Sequence, residues 1–205
     1  MAYGFHFDAS RCTGCKTCVL ACKDAYDLST AVAYRQVYEY GGGGWSRNDD
    51  GSWATDSWVY YLSIACNHCL QPVCTQVCPT GAMHKGDLEL VSVDARRCIG
   101  CGYCELACPY HAPHVDRELG HSVKCDGCEE RVRGGGQPVC VQACPQRALD
   151  FGDYDELTAR YGVFASLAPL PDASATLPHL VVTPPDQGRA SGSDEGTILN
   201  LDEIV

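Results

Sequence analysis

The sequence predicts an α+β fold: two small modules of short strands and helices built around cysteine loops, an aromatic β insertion, and an extended C-terminal tail. Three observations predict it. All 16 Cys of the 205 residues lie at or before Cys144, in four groups of four. An alternating strand running into a cysteine loop occurs twice, as Tyr3-Gly-Phe-His-Phe-Asp8 before Arg11-Cys12 and as Leu90-Val-Ser-Val-Asp94 before Arg97-Cys98. After residue 152 the composition changes: cysteine is absent and proline accumulates.

The elements follow in order. Group one is Cys12, Cys15, Cys18 and Cys22, spaced C-x2-C-x2-C-x3-C and followed by Lys23. Residues 27–58 form an insertion rich in aromatics (Tyr34, Tyr38, Tyr40, Trp45, Trp53, Trp58). Gly41 to Gly44 break it, and Arg47-Asn-Asp-Asp-Gly51 reads as a turn. Val59-Tyr-Tyr-Leu-Ser-Ile64 reads as a strand. Group two is Cys66, Cys69, Cys74 and Cys78. Group three, Cys98, Cys101, Cys104 and Cys108, repeats the spacing of group one. Group four is Cys125, Cys128, Cys140 and Cys144. Groups two, three and four are followed by Pro79, Pro109 and Pro145, which suit the first turn of a helix beginning at the fourth Cys. Asp153-Tyr-Asp-Glu156 reads as a capping box for a helix ending at Gly162. Pro169, Pro171, Pro178, Pro184 and Pro185 then forbid regular helix, and residues 187–196 read as flexible. A tail of this kind, with no core of its own, is expected to lie along a partner.

The spacing points to chemistry. Three Cys within seven residues can wrap one face of a 4Fe-4S cube, for which thiolate is the suited ligand. In two-cluster ferredoxins the fourth Cys binds the other cluster. Gly14, Gly100 and Gly127 precede the second Cys of groups one, three and four, where a loop needs positive φ; group two has His68 there. Structural zinc uses pairs of Cys-x2-Cys or His, which group four alone could imitate and groups one and three could not. Sixteen Cys without a secretory signal in the first residues argue against disulfides. A formal net charge of −11 argues against a nucleic-acid partner, and no apolar run of 18 residues is present to span a membrane.

The repeats suggest how the groups pair. Cys78-Pro-Thr-Gly-Ala82 resembles Cys144-Pro-Gln-Arg-Ala148, so groups two and four are one kind of half and groups one and three the other. Nineteen residues separate groups two and three, whereas 43 separate Cys22 from Cys66. Groups two and three are therefore expected to form an inner ferredoxin-like module, residues 59–119. Groups one and four form an outer one, residues 1–26 and 120–152, with the tail as 153–205. Exchange of the fourth ligand then gives four clusters. Cluster one takes Cys12, Cys15, Cys18 and Cys144. Cluster two takes Cys22, Cys125, Cys128 and Cys140. Cluster three takes Cys66, Cys69, Cys74 and Cys108. Cluster four takes Cys78, Cys98, Cys101 and Cys104. The competing arrangement pairs group one with two and three with four.

Thiolate-ligated clusters are anionic, so cations and N–H donors nearby favour reduction. Arg11, Arg97 and Lys124 directly precede the first Cys of groups one, three and four. With His68 and His84 they are candidates for tuning a cluster or handling a proton. The 16 thiolates are all assigned to clusters, and no nucleophile or phosphate-binding motif is evident, so no catalytic residue is expected.

With these residues in view the protein resembles the iron–sulfur (B) subunits of the dimethyl sulfoxide reductases, within the four-cluster electron-transfer subunits of the molybdopterin oxidoreductases. The resemblance rests on Arg11-Cys-Thr-Gly-Cys-Lys-Thr-Cys18, Ala21-Cys-Lys-Asp24, Tyr60-Tyr-Leu-Ser63, Cys66-Asn-His-Cys69, Gly81-Ala-Met-His-Lys85, Lys124-Cys-Asp-Gly-Cys128 and Arg147-Ala-Leu-Asp-Phe-Gly152. It runs nearly end to end. It implies a non-catalytic subunit between a membrane subunit that oxidises menaquinol and a molybdopterin catalytic subunit that reduces dimethyl sulfoxide or a similar S- or N-oxide. Electrons would run through clusters three, four, two and one. It also implies a peripheral place on the cytoplasmic membrane, facing the periplasm by export with the catalytic partner. Some members carry Trp for one Cys of group three and hold a three-iron cluster; Cys101 is kept here, which implies four cubanes. The alternatives are the matching subunit of a formate dehydrogenase or hydrogenase, and a free polyferredoxin.

Overall fold

The computed structural model describes residues 1–204. Strand β1 (Tyr3–Asp8) leads into the group-one loop and helix α1 (Thr17–Ala25). The insertion is a long antiparallel ribbon of β2 (Arg35–Gly42) and β5 (Trp58–Ala65), in register from Arg35 opposite Ala65 to Gly42 opposite Trp58. Its far end carries an exposed hairpin of β3 (Trp45–Arg47) and β4 (Trp53–Thr55). The expected insertion and the strand after it are thus one ribbon, and residue 58 marks no boundary.

Helix α2 (Val73–Gln76) lies within group two. It is followed by a hairpin of β6 (Met83–Lys85) and β7 (Val91–Val93), with Met83 opposite Val93. Helix α3 (Tyr103–Ala107) lies within group three. A second hairpin, β8 (His114–Asp116) and β9 (His121–Val123), straddles the expected boundary at residue 120. Group four holds α4 (Glu129–Arg133) and α5 (Val139–Ala143) and runs into β10 (Leu149–Asp153).

The prolines act differently from expectation. Cys108 and Cys144 do not begin helices; they end α3 and α5, with ψ of 116 and 111. The ring of a proline disfavours helical backbone in the residue before it, which forces each Cys into extended conformation. Group one has Lys23 at that place, and α1 accordingly continues through Cys22 to Ala25.

The Asp153 half of the expected capping box forms. Helix α6 (Tyr154–Tyr161) starts where the Asp153 carboxylate accepts from the N–H groups of Asp155 and Glu156, both at 3.1 Å, and stops at Gly162 with φ 91.

The remainder of the tail is not the free strap the sequence suggests. It returns as β11 (Leu180–Thr183), parallel to β1, and as β12 (Gly196–Ile198), antiparallel to β2. β1 is thereby the middle strand of a sheet ordered β10-β1-β11, and its residues Gly4 to Phe7 are buried. Before β11 the tail runs along group two, where Leu70 and Gln71 N–H donate to the carbonyls of Leu177 and Thr176. Leu167, Leu170, Leu180 and Val182 join Phe5, Phe7, Leu62 and Phe151 in the main core. Residues 187–196 are also held: Ala168 N–H donates to Arg189 O at 2.8 Å, and Arg189 pairs with Glu195 at 2.7 Å. The tail builds its core by burying side chains against the strands of residues 1–65, a route with no local period to reveal it. Among the described residues no helix is long and apolar enough to cross a membrane.

Candidate metal centres

Strand pairing decides which cysteines meet. β1 enters group one and β10 leaves group four, and they pair from Tyr3 opposite Asp153 to Phe7 opposite Leu149. β6 leaves group two and β7 enters group three, and they pair likewise. Three small cavities result, each lined by four sulfurs. Cys12, Cys15, Cys18 and Cys144 line one, with Phe7, Val37 and Leu149. Cys66, Cys69, Cys74 and Cys108 line a second, with Asn67 and Thr176. Cys78, Cys98, Cys101 and Cys104 line a third, with Met83 and Val93. The remaining four, Cys22, Cys125, Cys128 and Cys140, are all buried and face one another: Cys140 and Cys128 both act on Cys22, and Cys22 on Cys125. These are the four expected quartets, numbered here as sets one to four.

The loops hold their shape through left-handed residues. Gly14, Gly100 and Gly127 have φ of 67, 66 and 73, and His68 takes the same region at φ 45. At Gly14 a side chain would meet the Tyr61 ring at 2.5 Å, so the ribbon lies directly on the group-one loop.

The sets differ in exposure. Cys15 of set one and Cys101 of set four are exposed, whereas set two is wholly buried and set three nearly so. Cys66 of set three acts on Cys125 of set two. Sets two and three are thus neighbours.

Burial pushes the thiols of Cys22, Cys69 and Cys74 up to about 12 and that of Cys12 to about 11. Burial therefore favours the neutral thiol, and a thiolate at these positions would need a cationic metal to offset its desolvation. All 16 cysteines are free. Among the described residues no three His, Cys, Asp or Glu side chains converge on one point as a single ion requires. In three of the sets the four sulfurs line a small cavity instead. Three buried donors beside the quartets lack any hydrogen-bond partner: Arg35 Nε, Asn67 Nδ2 and His68 Nε2. Buried donors require acceptors, and cluster and cysteine sulfurs would provide them.

The candidate tuning residues part company. Lys124 is buried and donates from Nζ to the carbonyls of Val91 and Cys125, tying group four to the inner hairpin. Its charge opposes the upward push of burial on Cys74 and Cys125. His68 is wholly buried, and Val91 N–H donates to its Nδ1 at 2.9 Å. Burial first, then Lys124, lowers it well below the usual value, so it is neutral with its proton on Nε2, 3.4 Å from where a Gly127 side chain would begin. Arg97 is exposed and donates to Thr80 O at 2.6 Å, bracing the Cys78 turn. Arg11 and His84 are exposed, with no contact to a sulfur.

The sequence reading missed Arg35. It is 2% exposed, and its Nη1 donates to Ser63 O at 3.0 Å and Ser63 Oγ at 3.1 Å. Its sequence signal is faint: a lone cation opening an otherwise aromatic strand.

Comparisons with known proteins find iron–sulfur domains in this sequence. A 4Fe-4S dicluster domain matches residues 57–154 and a 4Fe-4S binding domain residues 3–24. The protein is 55% identical to the B subunit of anaerobic dimethyl sulfoxide reductase of Haemophilus influenzae and 52% identical to that of Escherichia coli K12, in each case over 98% of both sequences. It belongs to the family of anaerobic dimethyl sulfoxide reductase B subunits. It is also 36% identical to the thiosulfate reductase electron transfer subunit PhsB of Salmonella typhi, over 73% of this sequence and 74% of that one. As a member of the B-subunit family it is a non-catalytic iron–sulfur protein with an electron-transfer role in a reductase complex.

Proposed function

We propose that the protein carries four 4Fe-4S clusters. Set one (Cys12, Cys15, Cys18, Cys144), set two (Cys22, Cys125, Cys128, Cys140), set three (Cys66, Cys69, Cys74, Cys108) and set four (Cys78, Cys98, Cys101, Cys104) each hold one. The observation that carries the reading is the pairing of β1 with β10 and of β6 with β7, which brings the fourth cysteine of one group to the first three of another. When bound, each cluster takes up and passes on one electron.

The protein's own residues insulate two of the sets. Sets two and three are buried, with Thr176 of the tail lining set three, and sets one and four reach the surface through Cys15 and Cys101. The two exposed ends are where partners would dock: a menaquinol-oxidising membrane subunit at set four and a molybdopterin catalytic subunit at set one. The catalytic partner would reduce dimethyl sulfoxide or a similar S- or N-oxide. The complex would sit peripherally on the cytoplasmic membrane, on its periplasmic side.

The test is Cys101→Ser in the assembled complex. Quinol-driven reduction of dimethyl sulfoxide should fall to background, while reduction driven by a dye that feeds the catalytic subunit directly should persist. Retained quinol-driven turnover would count against a series path.

A further inference from the structure

Resting on the reading of sets one and two as cluster sites, we infer that Arg35 is a buried cation shared by them, and that it raises the reduction potentials of both. Several observations converge on this residue. It opens β2 on the underside of the ribbon and is 2% exposed. Among the described residues no carboxylate pairs with it. The anionic groups that act on it are cysteines: Cys140, Cys125 and Cys22 of set two, and Cys18 of set one. An unpaired buried cation is strongly destabilising, and the sulfurs of these two sets are the anionic groups positioned to offset the charge of Arg35. On its apolar side it packs over the ring of Phe5, 4.8 Å from the guanidinium carbon.

The hydrogen bonds give the cation a direct line to one ligand. Arg35 Nη1 donates to Ser63 Oγ, so the Ser63 hydroxyl turns its own hydrogen elsewhere, and Cys18 Sγ lies 3.2 Å away. The cation thus polarises a hydroxyl that donates to a set-one sulfur. Donation to a ligating sulfur and positive charge nearby both stabilise the reduced, more negative state. Arg35 Nε has no partner in the protein and remains available for a second sulfur contact. Set four has no counterpart among the described residues: Arg97, the basic residue that precedes its Cys98, is exposed and bonded to Thr80 O.

The experiment is a redox titration followed by electron paramagnetic resonance on the membrane-bound complex. Signals are assigned with Cys15→Ser, Cys128→Ser and Cys101→Ser, which perturb sets one, two and four. Arg35→Met should disfavour reduction of sets one and two by tenfold or more, a shift of about 59 mV or larger for a one-electron couple. Set four should not move. Arg35→Lys, which keeps the charge and loses the fork, should restore most of the shift at set two and less at set one. Ser63→Ala should shift set one alone. Unchanged potentials at sets one and two in an Arg35→Met protein with full iron would overturn the inference, as would an equal shift at all four sets. If Arg35→Met fails to load iron, Ser63→Ala decides: a shift confined to set one supports the inference, and no shift overturns it. Absence of clusters in the unaltered complex would instead overturn the reading on which it rests.

Discussion

The inner pair of cysteine groups and the outer pair use the same chemistry but close in different ways. Groups two and three are joined by a hairpin of two three-residue strands, a local contact made within the segment itself. Groups one and four lie at opposite ends of the cysteine-bearing region, and the β1–β10 contact that joins them must close a long loop. Loop closure over that distance costs entropy, and the outer pair offsets it with additional structure: β11 flanks β1, the ribbon covers group one, and the tail packs Leu167, Leu180 and Val182 into the main core. The inner pair has a smaller apolar cluster around Met83 and Val91 and a short contact with the tail at Thr176 and Leu177, and it leaves Ile99, Tyr103 and Leu106 exposed. The comparison teaches that nested pairing makes the outer module depend on parts of the protein that carry no cysteine.

The largest effect should come from removing those parts. Deleting residues 178–205 takes away β11 and β12 and opens the core around β1, while Thr176 stays against set three. Iron per molecule should fall from about 16 toward about 8, with sets one and two lost first. Iron analysis and resonance spectra of the anaerobically purified protein provide the check. Full iron would mean that the outer pair closes by itself and that the two pairs are equivalent.

Much of this was legible in the sequence, and the parts that were not share a cause. The grouping of the sulfurs that the structure brings together could be anticipated because thiolate spacing is a local rule. The α6 cap could be read because Asp153 and Glu156 act within one turn. The docking of the tail could not: Leu180-Val-Val-Thr183 reads as a short strand without a partner, and its neighbour β1 is more than 170 residues away in sequence. Proline after cysteine was read with the wrong sign, as a helix start. Its clash is with the residue before it, and that ends α3 and α5. Arg35 was hidden because its significance comes from burial, which a lone Arg beside a tyrosine-rich strand does not announce.

A smaller contrast separates two glycines. Gly14 and Gly102 both have positive φ, so Ala at either place carries a left-handed penalty of about 1–2 kcal/mol. Gly14→Ala must also displace Tyr61, 2.5 Å from the new carbon, whereas Gly102→Ala finds its nearest neighbour, Val115, at 3.9 Å. Gly14→Ala should lower the melting temperature more and deplete set one, while Gly102→Ala leaves set four loaded. Equal losses would show that the ribbon does not bear on the group-one loop.

The smallest effect concerns acid. His6 on β1 bonds to Thr183 Oγ1 at 2.9 Å and stacks on Tyr161 with ring centroids 3.6 Å apart. Burial lowers its pKa below the usual 6.5, against the opposing pull of Asp8 and Asp150. The folded state therefore prefers the neutral ring. Its contribution is complete above pH 6.5 and declines as pH falls through 6.5 toward the lowered value, because the unfolded state takes up the proton first. Protection factors at Val181 and Val182, measured against intrinsic exchange at each pH, should fall over that range. His6→Phe, which keeps the stacking and cannot titrate, should flatten the dependence, and an unaltered profile would assign it to another group.

The most direct test of the account is an anomalous iron map from anaerobically grown crystals of the loaded complex. The account requires four separate four-iron centres in a single row, with Cys144 completing the centre held by Cys12, Cys15 and Cys18, and Cys22 completing the one held by Cys125, Cys128 and Cys140. A centre held by Cys12, Cys15, Cys18 and Cys22 together, or zinc in place of iron at any quartet, would contradict it.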